Sequence, residues 1–242
     1  MDSTTRPIDV DNPETWPVEV VDWVRPEAER LRGSTIYTGD LDVSLELEDE
    51  FRQLLTRPLV AYHCTRLLSH EAQAIRCEGL RMLSRQLVDE RIARAEQSGD
   101  LDGPTASRLR AGNVYALNAQ ENRDSQVCLV LGRRTFDQPS NRAIPLLEAW
   151  GGEAVNGGPQ DAETNPVIGR PSIVVAAIDL SVSWRVSPTF PALDKMFVAA
   201  LLDLQDRTAD VLFRAPIASS MVLDIWQPGD AEYDRHASLR GV

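Results

Sequence analysis

The chain has 242 residues, of which 43% are hydrophobic and 26% charged, a composition that supports one packed core and excludes a disordered chain. A formal net charge of −12 excludes a protein that tracks nucleic-acid backbones non-specifically, because such binding needs a dense cationic surface. Three cysteines without C-x-x-C spacing, Cys64, Cys77 and Cys128, speak against a disulfide framework or a bound metal; no apolar window spans a membrane, so a soluble cytoplasmic protein is expected.

Residues 1–33 are rich in Pro, Asp, Glu and Val, and read as an extended arm ahead of a single domain over 34–242. Trp16 and Trp23 interrupt this arm and are expected to dock on the domain, since indoles are seldom left in water. A partner-binding arm is the alternative. Residues 44–57 place Leu47, Phe51, Leu54 and Leu55 at helical spacing and end before Pro58. The apolar run 59–62 then leads into His63, Cys64, Thr65 and Arg66, which reads as a buried strand delivering polar groups at its end. Ser69 stands as N-cap of the next helix, with Glu71 in its first turn, Ala72 and Ile75 on one face, and Gly79 as its stop.

Ser84 opens a second helix, with Leu87, Val88, Ile92 and Ala95 on one side, that dissolves at 98–100; a short helix over 102–111 follows. Residues 113–117 and 126–131 are β-like, joined by a polar connector. Residues 142–150 read as helix, broken at Gly151 and Gly152, and 156–171 as a mobile loop closing over a cleft near His63. A strong strand over 172–180, a helix over 191–206, strands over 210–217 and 221–226, and a polar tail complete the chain. Strands and helices alternate without a βαβ rhythm, so the expected class is α+β: a central mixed or antiparallel sheet flanked by helices.

The strong catalytic motifs are missing: there is no Gly-rich phosphate loop, no G-x-S-x-G and no H-E-x-x-H. Of three histidines, His70 sits at a helix start and His236 in the tail, which leaves His63 as the candidate. Cys64 beside it is no nucleophile partner, because neighbouring side chains on a strand point to opposite faces. The strand, His63-x-Thr65, helix and Gly79 resemble the opening of the ADP-ribosyltransferase fold. That resemblance implies NAD as co-substrate, His63 on a hydroxyl of the nicotinamide-side ribose, and Thr65 supporting His63. It further implies an aromatic residue against the nicotinamide, expected at Tyr115, and a carboxylate near the reacting ribose, expected at Glu153. Arg66 would suit the pyrophosphate.

The chemistry stands beside the name: breaking a nicotinamide–ribose bond develops positive charge on the sugar, and a carboxylate there acts mainly in the transition state. Transfer to a protein or nucleic-acid acceptor, by a toxin or defence factor, is the expected activity. Each residue also has a plainer role. Tyr115 fits a core position, Trp150 a packed indole, Glu153 a solvated loop charge and Arg66 an ion pair. Two other readings stay open: an acidic protein that neutralises a basic partner through segments such as 228–234, and a 2′-phosphotransferase using NAD, for which Arg66, Arg133, Arg134 and Arg142 are available.

Overall fold

Alternation along one strand builds the centre of the protein. β1 (Leu59–Leu67) sends Leu59, Ala61 and Leu67 into one hydrophobic cluster and Val60, Tyr62 and Cys64 into another on the opposite face. The computed structural model describes residues 6–32, 45–118, 123–137, 143–156, 165–179, 184–186, 193–204 and 209–239. β1 lies between β2 (Val127–Leu131) and β3 (Arg170–Ile178). With β4 (Trp184–Val186), β5 (Ala209–Phe213) and β6 (Val222–Trp226) they form a six-stranded sheet of order β4-β5-β2-β1-β3-β6. Every strand pair in it is antiparallel, and helices pack on both faces: the class is α+β.

The two ladders flanking β1 differ. β1 and β3 pair along their whole length, from Leu59 with Ile178 to Leu67 with Arg170. β1 and β2 share one register pair, Tyr62 with Val130. On the near side of that pair Ile8 takes the vacant edge: its N–H donates to Pro58 O and its carbonyl accepts from Val60 N–H, both at 2.8 Å. On the far side the chain before β2 turns to another partner, with Leu83 N–H donating to Gln126 O at 2.8 Å and Ser125 N–H to Leu83 O at 2.9 Å. Two half-sheets, β4-β5-β2 and β1-β3-β6, therefore join at Tyr62, and the ladder between them stops before His63.

Residues 6–32, the described part of the expected arm, are not an extended arm outside the core. α1 (Val18–Leu31) buries Val20, Val24, Ala28 and Leu31 at helical spacing, and Ile8 and Val10 are buried beside it. Proline hid this helix: Pro17 holds its N-cap and Pro26 lies inside it, where a proline ring ordinarily breaks the ladder. The indoles dock as expected, Trp16 edge-on to Phe197 of α8 (Leu193–Leu201), and Trp23 tilted against Phe51 of α2 (Leu45–Leu54).

α3 (Ser69–Glu78) starts one residue earlier than expected, with Leu68 at the N-cap and Glu71 reaching back to its N–H at 2.8 Å. Gly79 ends it at φ +89°, and a Cβ there would lie 1.9 Å from Ile217 O, so only glycine fits. α4 (Arg85–Gln97) and α5 (Gly103–Gly112) are capped by Ser84 and Asp102. Residues 113–117, expected as strand, are a turn. The Asn113 side-chain oxygen accepts from the N–H groups of Tyr115 and Ala116, replacing a neighbouring strand. The helix expected over 142–150 is shorter, α6 (Ile144–Glu148), and α7 (Gly152–Asn156) follows the glycine pair.

Of the loop expected to act as a lid, residues 157–164 lie outside the described residues. Its end is fastened: Trp150 N–H donates to Pro166 O at 2.9 Å, and Arg66 holds Ile168 and Gly169. The tail is not merely polar, since α9 (Ala231–Asp234) and the turn Ala237–Leu239 bury Tyr233, His236 and Leu239. Among the described residues no helix is long and apolar enough to cross a membrane.

Candidate functional site

His63 stands one residue past the pair that joins the half-sheets, half-buried, on the face that carries Ala61 and Leu67. A carbonyl only accepts, so the 2.8 Å contact between His63 Nδ1 and Cys128 O fixes a proton on Nδ1. Burial lowers the imidazole pKa, the Cys128 carbonyl pulls it back, and the charge of Arg91 lowers it further, with a net lowering. The ring is thus neutral, and the one hydrogen bond it makes among the described residues is through Nδ1, which leaves Nε2 as an acceptor.

The neighbouring charges were not singled out in the sequence. Glu71 accepts from three groups: Leu68 N–H and Trp150 Nε1–H at 2.8 Å each on one oxygen, and Arg91 Nε–H at 2.6 Å on the other. Burial alone would raise its pKa, but Arg91 and these hydrogen bonds hold it below the ordinary carboxylate range. The Arg91 guanidinium also lies over the Trp150 ring, 4.9 Å from its centroid. Glu71, Arg91 and Trp150 form one locked unit from α3, α4 and the α6–α7 junction. Glu71 had read as a first-turn helix charge, and Arg91 had not been noticed. The signal lay in spacing, because Arg91 follows Val88 by three and directly precedes Ile92, both buried.

The other expected residues divide. Thr65 lies on the His63 face and is buried, but its hydroxyl donates to Arg66 O at 3.3 Å, and no bond joins it to His63. Arg66 points to the opposite face, where Nε, Nη1 and Nη2 donate to Ile168 O, Leu147 O and Gly169 O at 2.9 to 3.1 Å. Its fork fastens α6 and the entry to β3. Tyr115 is buried in one cluster with Leu68, Val88, Trp150 and Val155; its hydroxyl donates to Asp124, and Arg85 lies over its ring at 5.3 Å. Glu153 lies in α7, whose Ala154 O accepts from Val114 N–H at 3.2 Å, so its helix and Tyr115 are neighbours. The Glu153 side chain is outside the described residues. Through Trp150 and Arg91, that neighbourhood is linked to His63.

Cys64 faces away from His63, and burial pushes its thiol up to about 12, which leaves it unreactive. Chemically the site offers a neutral acceptor at His63 Nε2, a fixed guanidinium at Arg91, and an aromatic cluster to one side. Glu71, with both oxygens engaged, is not positioned to act as a base.

The chain was compared with family models, curated proteins and solved structures. None of them matches it.

Proposed function

We propose that the protein is an ADP-ribosyltransferase-like enzyme that binds NAD and transfers ADP-ribose to a macromolecular acceptor, protein or nucleic acid. The observation that carries this reading is His63: a neutral imidazole, held by Cys128 O in the Nδ1–H tautomer, with Nε2 open where the half-sheets part. A neutral acceptor in that position suits a ribose hydroxyl, which donates its proton and needs no charge in return. The resemblance carried by His63, Thr65 and Gly79 gives the ribose its source. Tyr115 and Glu153, on adjacent segments, are assigned to the nicotinamide side, Glu153 facing the sugar on which charge develops. Arg66 is left out of the phosphate role, because its donors are engaged by main-chain carbonyls.

The test separates binding from chemistry. NAD affinity is measured by calorimetry, and nicotinamide release and label transfer are measured with radiolabelled NAD in a cell lysate. His63→Ala is expected to weaken NAD binding about tenfold or more, one lost hydrogen bond with its partner left unpaired. Glu153→Gln is expected to bind NAD nearly as the parent does and to turn over roughly a hundredfold more slowly, since its effect lies in the transition state. Parent-like NAD turnover by both variants, or no NAD binding by the parent, defeats the reading.

A further inference from the structure

Two arginines are withdrawn from water near the site, and the chain treats them differently. Arg66 has acceptors on all three of its nitrogens. Arg91 is also mostly buried, its side chain 21% exposed, yet only its Nε–H has an acceptor, the Glu71 carboxylate. Its Nη2 is fully covered and has no hydrogen-bond partner, and Nη1 has none either among the described residues. A covered guanidinium nitrogen without an acceptor costs on the order of 1–3 kcal/mol or more, so native chains leave one where something else supplies the oxygen.

From this we infer that Arg91 is an oxyanion seat: its two terminal nitrogens receive a phosphate or pyrophosphate oxygen of a bound ligand. The fork suits that chemistry, since parallel N–H groups match two oxygens of one phosphate. Its plane is set in advance by Glu71 on one edge and Trp150 on one face, so little side-chain freedom is lost when the ligand arrives. Glu71 cancels one positive charge. Arg85, over Tyr115 in the same cluster, returns one from the same helix. In the NAD reading this group is the pyrophosphate, and the assignment rests on that reading for the ligand's identity alone.

The full chain titrated with inorganic pyrophosphate, followed by thermal shift and 31P line broadening, tests the seat separately from NAD. The parent and Arg110→Ala, which alters a surface arginine paired with Glu96, are expected to bind alike. Arg91→Lys keeps the charge beside Glu71 but loses the fork, and is expected to bind at least tenfold more weakly. The double variant Glu71→Gln, Arg91→Met strands no charge, so the fold is kept, and is expected to show no pyrophosphate-dependent shift. Pyrophosphate binding to either Arg91 variant at parental affinity, or no binding to the parent, overturns the assignment. Should the parent bind pyrophosphate but not NAD, the seat stands and the NAD reading falls; should NAD bind the parent and Arg91→Lys equally, the reverse holds.

Discussion

Two residues of the site lose their contribution to stability as the pH falls, but over different intervals, and each makes a separate pH prediction. The His63 pKa is lowered in the fold, so below about 6.5, the ordinary imidazole value, the unfolded chain binds a proton that the folded chain refuses. Stability from this source is present above that value and falls as the pH drops from 7 towards 5. His63→Gln, which does not titrate, should lose less stability over the same interval in urea melts; parallel losses would show that the imidazole is not held neutral. The Glu71 pKa is also lowered, but as a carboxylate it stabilises the fold above its ordinary range and loses that contribution further into acid. Glu71→Gln leaves Arg91 without its counter-charge in a mostly buried position and should cost roughly 3–5 kcal/mol by urea denaturation at pH 7. Glu90→Gln, which breaks an ion pair with Arg81 in solvent, should leave the melt unchanged.

At the scale of elements, the unit from β1 to Gly79 is held by a backbone contact as much as by side chains. Gly79→Ala puts a methyl group into Ile217 O in a left-handed conformation, and should cost roughly 2–5 kcal/mol of stability. Gly99→Ala shares a positive φ of +82° but meets nothing within 4 Å, and should cost only about 1 kcal/mol. If thermal melts rank the two the other way, the close approach at Ile217 is not what requires glycine. That unit was legible because each part has a local signature: an apolar run, a helix start, a glycine stop. β3 and β6 were legible for the same reason. Residues 113–117 were not, because a turn closed by the Asn113 side chain carries the same Val-Tyr apolar content as a strand. The locked unit of Glu71, Arg91 and Trp150 was invisible for a deeper reason. Its members are 20 to 79 positions apart, and only the folded chain brings a helix-face arginine of α4 and the indole of Trp150 onto the buried carboxylate of Glu71.

For the molecule as a whole, the two half-sheets share one strand pair, and the segment before α1 completes the join. Ile8 occupies the edge of β1 that β2 leaves open, and Arg57 reaches across to donate to the carbonyls of Arg6 and Thr15. Ile8, Val10 and Trp16 are together buried against the face that carries α1, α2 and α8. Each such side chain contributes roughly 1.5–3 kcal/mol when withdrawn from water, so the three together approach the roughly 5–15 kcal/mol that holds an ordinary domain folded. Removal also strands the N–H of Val60 and the carbonyl of Pro58 at the centre of the sheet. A chain beginning at Val18 is therefore expected to lose its cooperative thermal transition, whereas one beginning at Arg6 melts as the full chain does. A segment that serves only to recruit a partner would be dispensable for folding, and the chain beginning at Val18 would then melt within a few degrees of the parent. Circular dichroism melts of the two truncations decide between a structural strap and a recruiting arm, and the loss of the transition on removing residues 6–17 is the outcome that the burial of Ile8 requires.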